Sequence, residues 1–407
     1  MTDERAVIVG AGLAGSWTAA RLRQEGFEGR ITLLGAEPHP PYDRPPLSKD
    51  VLRGAHEPGA DAEATGLGLD FDALGVELLT GRAATGLRPG PRLLDTDQGP
   101  LPYDHLVLAT GAEPVTLPGT QGRSDVHVLR TLDDARRLRR VLDARAALVA
   151  VGAGWIGAEV ATAARAAGCR VTVVEAAGRP LAGTLPREAA EPMRRWYTEA
   201  GVELRTGHAV TAVRDGEVEL ADGTVVGADA VLVGIGSRPA TGWLAGSGVA
   251  LAPDGSVRAD ARLRTSAPGV WAVGDCASYP SARYGERLLV HHWDNALSGA
   301  GAAAAGVLGR EAAHDPVPYF WSEQFGRRVQ YAGHRGRDDV AVTRGDPGAG
   351  TDGWSVCWLR PDGTLAALLT VDRPRDLAQG RRLAERAVPL DPGRVADPSV
   401  PLKAAVR

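Results

Sequence analysis

The sequence predicts an α/β protein in which one parallel-sheet βαβ unit is written twice and followed by a smaller α+β segment. Three observations carry this reading. The stretch Ala6-Val-Ile-Val-Gly10-Ala-Gly12-Leu-Ala-Gly15 returns as Leu148-Val-Ala-Val-Gly152-Ala-Gly154-Trp-Ile-Gly157. Each copy passes from an apolar run through three glycines into an Ala-rich stretch, then back to a strand that ends on an acid. After about Pro316 the pattern changes to short aromatic and β-branched runs divided by Gly, Asp and Pro turns.

Each apolar run reads as a buried parallel strand, because both faces of such a strand are covered and no polar alternation is needed. The returning strands are Ile31 to Glu37 and Arg170 to Glu175. Between them the glycine spacing has a physical reading. Gly10 and Gly152 permit a tight turn, Gly12 and Gly154 let the backbone approach a pyrophosphate, and Gly15 and Gly157 allow close helix–strand packing. The helix starts at Leu13-Ala14 and Trp155-Ile156 then offer backbone N–H groups and a positive dipole end to the phosphates. Glu37 and Glu175 follow about 20 residues on, where a carboxylate accepts from a ribose hydroxyl. Two Rossmann-like, dinucleotide-binding domains are therefore expected.

The copies continue in parallel. Leu106 to Gly111, with Ala109-Thr110-Gly111 at its end, closes the first unit, and Val231 to Gly236 closes the second. Both read as late strands whose carboxyl edge meets a ligand. A further segment, Val270-Trp-Ala-Val-Gly274-Asp275, comes after the second unit and needs a place in the first sheet. The simplest arrangement is a first domain at 1–117 and 246–315, interrupted by a second at 118–245, with a C-terminal α+β domain at 316–407. In that last part strands are expected at Val317 to Trp321, Val329 to Tyr331, Trp354 to Leu359 and Leu365 to Val371. A helix is expected at Pro374 to Arg386, and a loose tail from Pro389.

A chain of 407 residues exceeds the size at which a single core stops growing, and 44% hydrophobic with 24% charged residues is an ordinary globular balance. A net charge of -4 points to neither nucleic acid nor an anionic membrane. The N-terminal residues run straight into a strand without the basic and apolar segments of a signal peptide, so a cytoplasmic protein is expected. The small-apolar stretch Gly299 to Leu308 is too short to span a bilayer and reads as a buried helix. Cys169, Cys276 and Cys357 have neither disulfide, zinc nor dithiol spacing and read as small buried residues. Only Lys49 and Lys403 are lysines in an arginine-rich chain, which makes an ammonium at position 49 informative.

These motifs, with Pro41-Tyr-Asp-Arg-Pro-Pro-Leu-Ser-Lys49, Trp271-Ala-Val-Gly-Asp275 and Val317-Pro-Tyr-Phe-Trp-Ser-Glu-Gln324, give the whole chain a resemblance to the FAD-dependent NADH:ferredoxin reductases. That is the putidaredoxin-reductase-like family, whose fold is glutathione-reductase-like and whose members serve a cytochrome P450 or a ring-hydroxylating oxygenase. The resemblance implies FAD and NADH as cofactors and a separate iron–sulfur ferredoxin as partner. It places Arg44, Pro45 and Lys49 along the flavin and its pyrophosphate, where an ammonium stabilises charge on a reduced ring. It assigns a ribityl hydroxyl to Asp275, and puts the helix start at Trp293, Asp294 and Asn295 beside the pyrimidine ring, where the sequence leaves simple capping open. Trp321 is implied to lie against the flavin. Glu159, at the helix position where the first copy has Trp17, is implied to orient the nicotinamide.

Glu175 argues for NADH, since a carboxylate repels a 2′-phosphate, although Arg179 four residues on is placed to soften that repulsion. Arg283, Arg287, Arg327 and Arg328 are candidates to receive an acidic ferredoxin, although charge runs are usually solvated faces. Two positions depart from the family pattern: His291 stands where an acid is usual, and Val115 where an arginine often stands. Two other readings stay open. One keeps the enzyme with a small-molecule acceptor, a quinone or oxygen; its disulfide-reductase relatives need a redox cysteine, which the Tyr42 to Lys49 stretch lacks. The other is an NADH-responsive flavoprotein like apoptosis-inducing factor.

Overall fold

The structure, a computed structural model, describes residues 3–54, 60–348 and 353–407. The chain forms two compact units: Met1–Asp43, Thr65–Glu113 and Arg238–Tyr319 make up the first, and Arg44–Ala64, Pro114–Ser237 and Phe320–Arg407 the second. The fold is α/β, with one five-stranded parallel sheet in each unit and a further five-stranded sheet formed near the C-terminus.

In the first unit the strand order is Val270–Ala272, His105–Leu108, Arg5–Val9, Arg30–Gly35, Val76–Thr80. The apolar run Ala6–Val9 is buried on both faces: Ala6 and Ile8 cluster with helices Leu13–Gln24 and Trp293–Val307, and Val7 and Val9 with Leu87, Leu94, Leu244 and Val249. The late segment Val270–Ala272 lies parallel to His105–Leu108, with Val270 opposite Leu106. The second unit repeats this order: Val126–His127, Ala230–Val233, Ala147–Val151, Arg170–Glu175, Glu203–Thr206. The strand beside the late strand thus comes from far downstream in the first copy and from just upstream in the second.

The repeat goes further than the glycine motifs. Each copy carries a three-stranded antiparallel meander before its late strand, Ala84–Arg88, Leu93–Thr96 and Leu101–Pro102 in one, Val210–Arg214, Glu217–Leu220 and Val225–Gly227 in the other. The sequence signal for the latter is Asp222-Gly223, a turn dipeptide between two short β-branched runs.

Helix Trp293–Val307 contains the Ala-rich stretch, with Ala300, Ala303 and Ala304 fully buried. Among the described residues no helix is long and apolar enough to cross a membrane. Small residues let this helix approach helix Leu13–Gln24: a Cβ on Gly274 would stand 3.1 Å from the Ala14 Cβ and 3.8 Å from that of Ala296. Behind its first turn, Asn295 donates to the Val290 carbonyl while its Oδ1 accepts from the Tyr279 hydroxyl at 3.2 Å and faces His314 Nε2 at 3.0 Å. An oxygen acceptor there requires the proton on Nε2 of a neutral imidazole. Burial pushes His314 down to about 4.

The C-terminal sheet runs Tyr319–Gln324, Arg327–Gly333, Leu365–Val371, Trp354–Leu359, Val340–Arg344, with antiparallel pairing among the last four strands. Helix Pro374–Arg386 falls where the sequence put it. Strand Val340–Arg344 was not foreseen, since three of its residues are exposed and it lacks an apolar face. The expectation of a loose tail from Pro389 is overturned. Residues Pro392–Ala396 and Leu402–Ala405 are helical, and Leu390, Val395, Leu402 and Ala405 are fully buried.

The cause is Arg344, 1% exposed, whose guanidinium pairs with Asp376 at 2.9 Å and donates to the carbonyls of Val395, Asp397 and Val400. One rigid donor fork thus holds the backbone between Val395 and Val400, beside the buried Leu390, Leu402 and Ala405.

Arg344→Met is expected to cost about 3 kcal/mol, because it leaves those buried carbonyls without donors and Asp376 with only Ser355 and Arg373. Chemical unfolding and proteolysis of the last residues measure it; an unchanged midpoint would show the tail to be held by apolar contacts alone. His314 gives a pH signature. The unfolded imidazole takes a proton near pH 6.5 and the folded one only near 4, so stability is full above about 6.5 and falls as pH drops toward 4. Unfolding of His314→Gln at a series of pH values is expected to show a flatter slope across that window than the parent protein.

Candidate functional site

The two glycine cradles are built alike. Gly10 has φ 110° and Gly152 φ 101°, and an added Cβ would lie 2.2 Å from the Ala109 carbonyl oxygen in one and 2.3 Å from that of Gly234 in the other. Only glycine serves, because the end of each late strand presses against the turn. Gly15 and Gly157 sit under the turn in the same way, with hypothetical Cβ atoms 1.9 and 2.0 Å from the carbonyls of Gly10 and Gly152. The middle glycines are different. A Cβ on Gly12 would meet nothing within 4 Å and one on Gly154 only the Gly234 oxygen at 3.8 Å, so their restriction to glycine is not imposed by this chain.

Helices Leu13–Gln24 and Trp155–Ala166 start directly at these open positions, and neither Gly12 nor Gly154 can cap with a side chain. A polyanion at each cradle fits this geometry: the space a Cβ would take is left open in front of a helix N-terminus.

The acids after the returning strands hold these loops differently: Glu175 ends its strand, whereas the strand before Glu37 stops at Gly35. Glu175 accepts from the Ala153 and Ala177 N–H groups, each at 2.8 Å, which fixes both its oxygens while leaving lone pairs for a ribose hydroxyl. Glu37 accepts from the Tyr42 hydroxyl at 2.5 Å. Around the first cradle, Thr110 donates to the Ala240 carbonyl, Gly111 sits at φ 71°, and Gly274-Asp275 forms a short 3-10 turn. Trp293 donates from its indole to the Asp43 carboxylate at 2.9 Å. The helix it opens has His292, not Asp294 or Asn295, at the N-cap, and no side-chain cap bond there; Asn295 is occupied behind the helix. Simple capping is thereby removed as the account of Asn295.

In the second unit Ile156 and Ile235 are exposed near Gly154 and Gly236, and the Val115 N–H donates to the Gly236 carbonyl. The same unit holds Arg44, Pro45, Lys49, Glu159 and Trp321. Arg44 donates to the Arg130 carbonyl, and Pro45 opens the turn Pro45–Ser48. Lys49 is 9% and Glu159 5% exposed, and their ammonium and carboxylate meet at 2.8 Å. Lys49 is thus not a surface lysine, and Glu159 has a buried counter-ion.

Sequence reasoning missed two hydroxyls on this carboxylate. Ser48 donates to Glu159 Oε2 and Ser322 to Oε1 at 2.6 Å, with the Glu323 N–H at 3.4 Å. Both serines lie inside motifs that drew attention for other residues, and nothing in the sequence marks their partner. The ammonium also donates to the Pro45 carbonyl at 3.2 Å. The sequence marked the ammonium of Lys49 but not its counter-ion; the structure pairs it with Glu159.

The three cysteines are buried and unpaired. Burial raises each thiol, Cys357 to about 12, so none is poised as a thiolate. Of the four arginines suggested for docking, Arg287 is bonded to the Ala259 and Ser278 carbonyls and Arg327 to Glu199 over the Trp196 ring. Arg328 is exposed. Among the described residues no cluster of His, Cys, Asp and Glu could hold a metal ion.

Two equivalent pyrophosphate cradles on parallel sheets define a two-dinucleotide α/β protein. Comparison with known sequences narrows that class. Residues 4–300 match the pyridine nucleotide-disulphide oxidoreductase profile and residues 319–406 the reductase C-terminal profile, so the chain belongs to that oxidoreductase family. It is 40% identical over 408 residues, 98% of this chain and 97% of the other, to the ferredoxin reductase component of chlorobenzene dioxygenase from Cupriavidus sp. (strain PS12). It is 37% identical over 401 residues, 98% and 97% of the two chains, to the ferredoxin–NAD(+) reductase component of the p-cumate 2,3-dioxygenase system of Pseudomonas putida. Among solved structures, putidaredoxin reductase in its covalent complex with putidaredoxin matches with a TM-score of 0.91 and 33% identity, covering 99% of this chain and 98% of that one.

The cradle geometry separates two kinds of glycine. Gly12→Val is expected to fold with a melting midpoint near that of the nucleotide-free parent but to lose its dinucleotide, whereas Gly15→Val is expected not to fold. Thermal melting with quantification of retained nucleotide distinguishes these outcomes, and a Gly12→Val protein that kept its nucleotide would show the open space to be incidental.

Proposed function

We propose that the chain is an NADH:ferredoxin reductase that takes electrons from NADH onto bound FAD and passes them to a separate iron–sulfur ferredoxin. That ferredoxin would serve a ring-hydroxylating oxygenase or a cytochrome P450 in the cytoplasm. The observation that carries the reading is the pairing of two like cradles with a buried ammonium–carboxylate pair on the helix that starts at the second cradle. FAD, when bound, supplies the conversion of a hydride's two electrons into single-electron steps. The domain at 1–117 and 246–315 would hold FAD through Gly10, Gly12, Gly15, Glu37, Gly111 and Asp275. The domain at 118–245 would hold NADH through Gly152, Gly154, Gly157, Glu175 and Gly236, with 316–407 as the C-terminal domain.

This chain's own residues then bind, orient and exclude. The free N–H groups at Leu13-Ala14 and Trp155-Ile156 bind pyrophosphate. Glu175, held rigid by two backbone donors, accepts from the ribose and repels a 2′-phosphate. Glu159 would orient the nicotinamide, and Lys49, paired with that buried carboxylate, would lie along the flavin. Because the two charges cancel, what acts on the ring is a fixed dipole and not a net cation. The same arrangement favours a protein acceptor over a disulfide: every cysteine is buried with its thiol pushed toward the protonated form.

Anaerobic stopped-flow tests this. NADH is expected to bleach the flavin at least about tenfold faster than NADPH, and Glu175→Ser to narrow that gap. A [2Fe-2S] ferredoxin is then expected to restore the yellow colour. Bleaching without reoxidation by ferredoxins would transfer the assignment to a quinone or oxygen. Slow bleaching with an NADH-dependent change in mass would favour a ligand-responsive flavoprotein.

A further inference from the structure

The carboxylate of Glu159 is held unequally at its two oxygens. Oε2 accepts from Lys49 and Ser48. Oε1 has the Ser322 hydroxyl at 2.6 Å and a long contact from the Glu323 N–H at 3.4 Å. The terminal torsion of a glutamate is broad and soft, so rotamer preference alone does not fix which oxygen faces the lysine. A second strong donor on the opposite oxygen does.

Ser322 is built for that task. It is fully buried, so its proton has no solvent alternative, and its oxygen already accepts from Gln324 Nε2 at 3.1 Å. A hydroxyl carries one proton, and with Gln324 donating to it that proton is directed at Glu159. Ser322 and Gln324 share a face of strand Tyr319–Gln324 by the two-residue period. The strand is pinned to the helix a second time, where the Phe325 N–H donates to Thr162 Oγ1 at 3.0 Å. The two anchors are three residues apart on both partners, which fixes the register of strand on helix.

We propose that Ser322 is a positioning residue for hydride transfer: its hydroxyl, oriented by Gln324, locks the Glu159 carboxylate against Lys49. The inference rests on the reductase reading above, in which Glu159 orients the nicotinamide. Ser322, fully buried, acts through Glu159.

The two lysines of this chain give a direct readout. With lysine labelled by carbon-13 at Cε, the flavin-loaded protein has one resonance for Lys49 and one for Lys403. In Ser322→Ala the Lys49 resonance is expected to shift while Lys403 stays, and Ser322→Thr, which keeps the hydroxyl, is expected to return it toward the parent position. In single-turnover reduction by NADH, Ser322→Ala is expected to lower the limiting rate about tenfold with the NADH dissociation constant unchanged within about twofold, as for loss of a charge-assisted bond that orients but does not bind. Unchanged flavin content and melting would show the variant to be folded.

A Ser322→Ala protein matching the parent in both Lys49 resonance and limiting rate would overturn the proposal, as would a raised dissociation constant at an unchanged rate. If NADH failed to reduce the parent flavin at all, the reductase reading would fall and this inference with it, a result separable from the first because it appears without any substitution.

Discussion

A carboxylate and an ammonium that are both withdrawn from water must find each other and enough further donors and acceptors, or the fold cannot close over them. In the second unit that requirement brings three distant stretches together. Glu159 comes from the helix rooted at Gly154, Lys49 and Ser48 from the Pro-rich turn, and Ser322 from the C-terminal sheet. Each contributor is fixed elsewhere as well. Arg139 donates to the carbonyls of Val51 and Gly54, and Arg44 to that of Arg130, so the turn carrying Lys49 is fastened on both sides. The helix cannot slide, because Gly157 lies against the Gly152 carbonyl with no room for a Cβ. The ion pair therefore stands at a set distance from the cradle, which is what an orienting group needs.

Duplication explains the frame and differentiation explains the chemistry. The two copies share strand order, meander, and the positions of three glycines. They differ where function would require it. Five residues beyond the middle glycine the first copy has Trp17, half-buried beneath Arg21, and the second has Glu159 with its buried counter-ion. The strand-end acid of the second copy is braced by backbone on both oxygens, and Glu37 takes a tyrosine hydroxyl. A carboxylate held at both oxygens discriminates between a hydroxyl and a phosphate.

Most of the parallel-sheet frame was legible, because buried parallel strands and glycine turns are local signals. Ala147–Val151 and Arg170–Glu175 start and stop where apolar content and glycine say they should. The residues that touch Glu159 were legible only in part. Lys49 stood out by its rarity, but Ser48 and Ser322 are 274 positions apart in a chain rich in small residues, and their shared partner is a product of tertiary packing. The tail was misread for a related reason. Its backbone is held by the side chain of Arg344 from a strand some 50 residues away, and a guanidinium that satisfies carbonyls leaves no periodicity in the segment it holds.

The C-terminal sheet is more than an appended cover for the second βαβ copy. Leu181, Leu185, Met193 and Trp196 form one apolar cluster with Val329, Trp354, Trp358 and Leu369, and the Trp358 indole donates to Glu188 at 3.2 Å. Trp155, the first residue of the helix at the second cradle, packs edge-on against Phe320 at 4.7 Å between ring centres. Aromatic packing of this kind is stiff and specific in direction. Strand Tyr319–Gln324 is thus located by bulky apolar contacts at one residue and delivers a hydroxyl to a buried charge two residues later. A polar contact made by a mobile strand could not hold a carboxylate to a few tenths of an ångström; one made from within a shared core can.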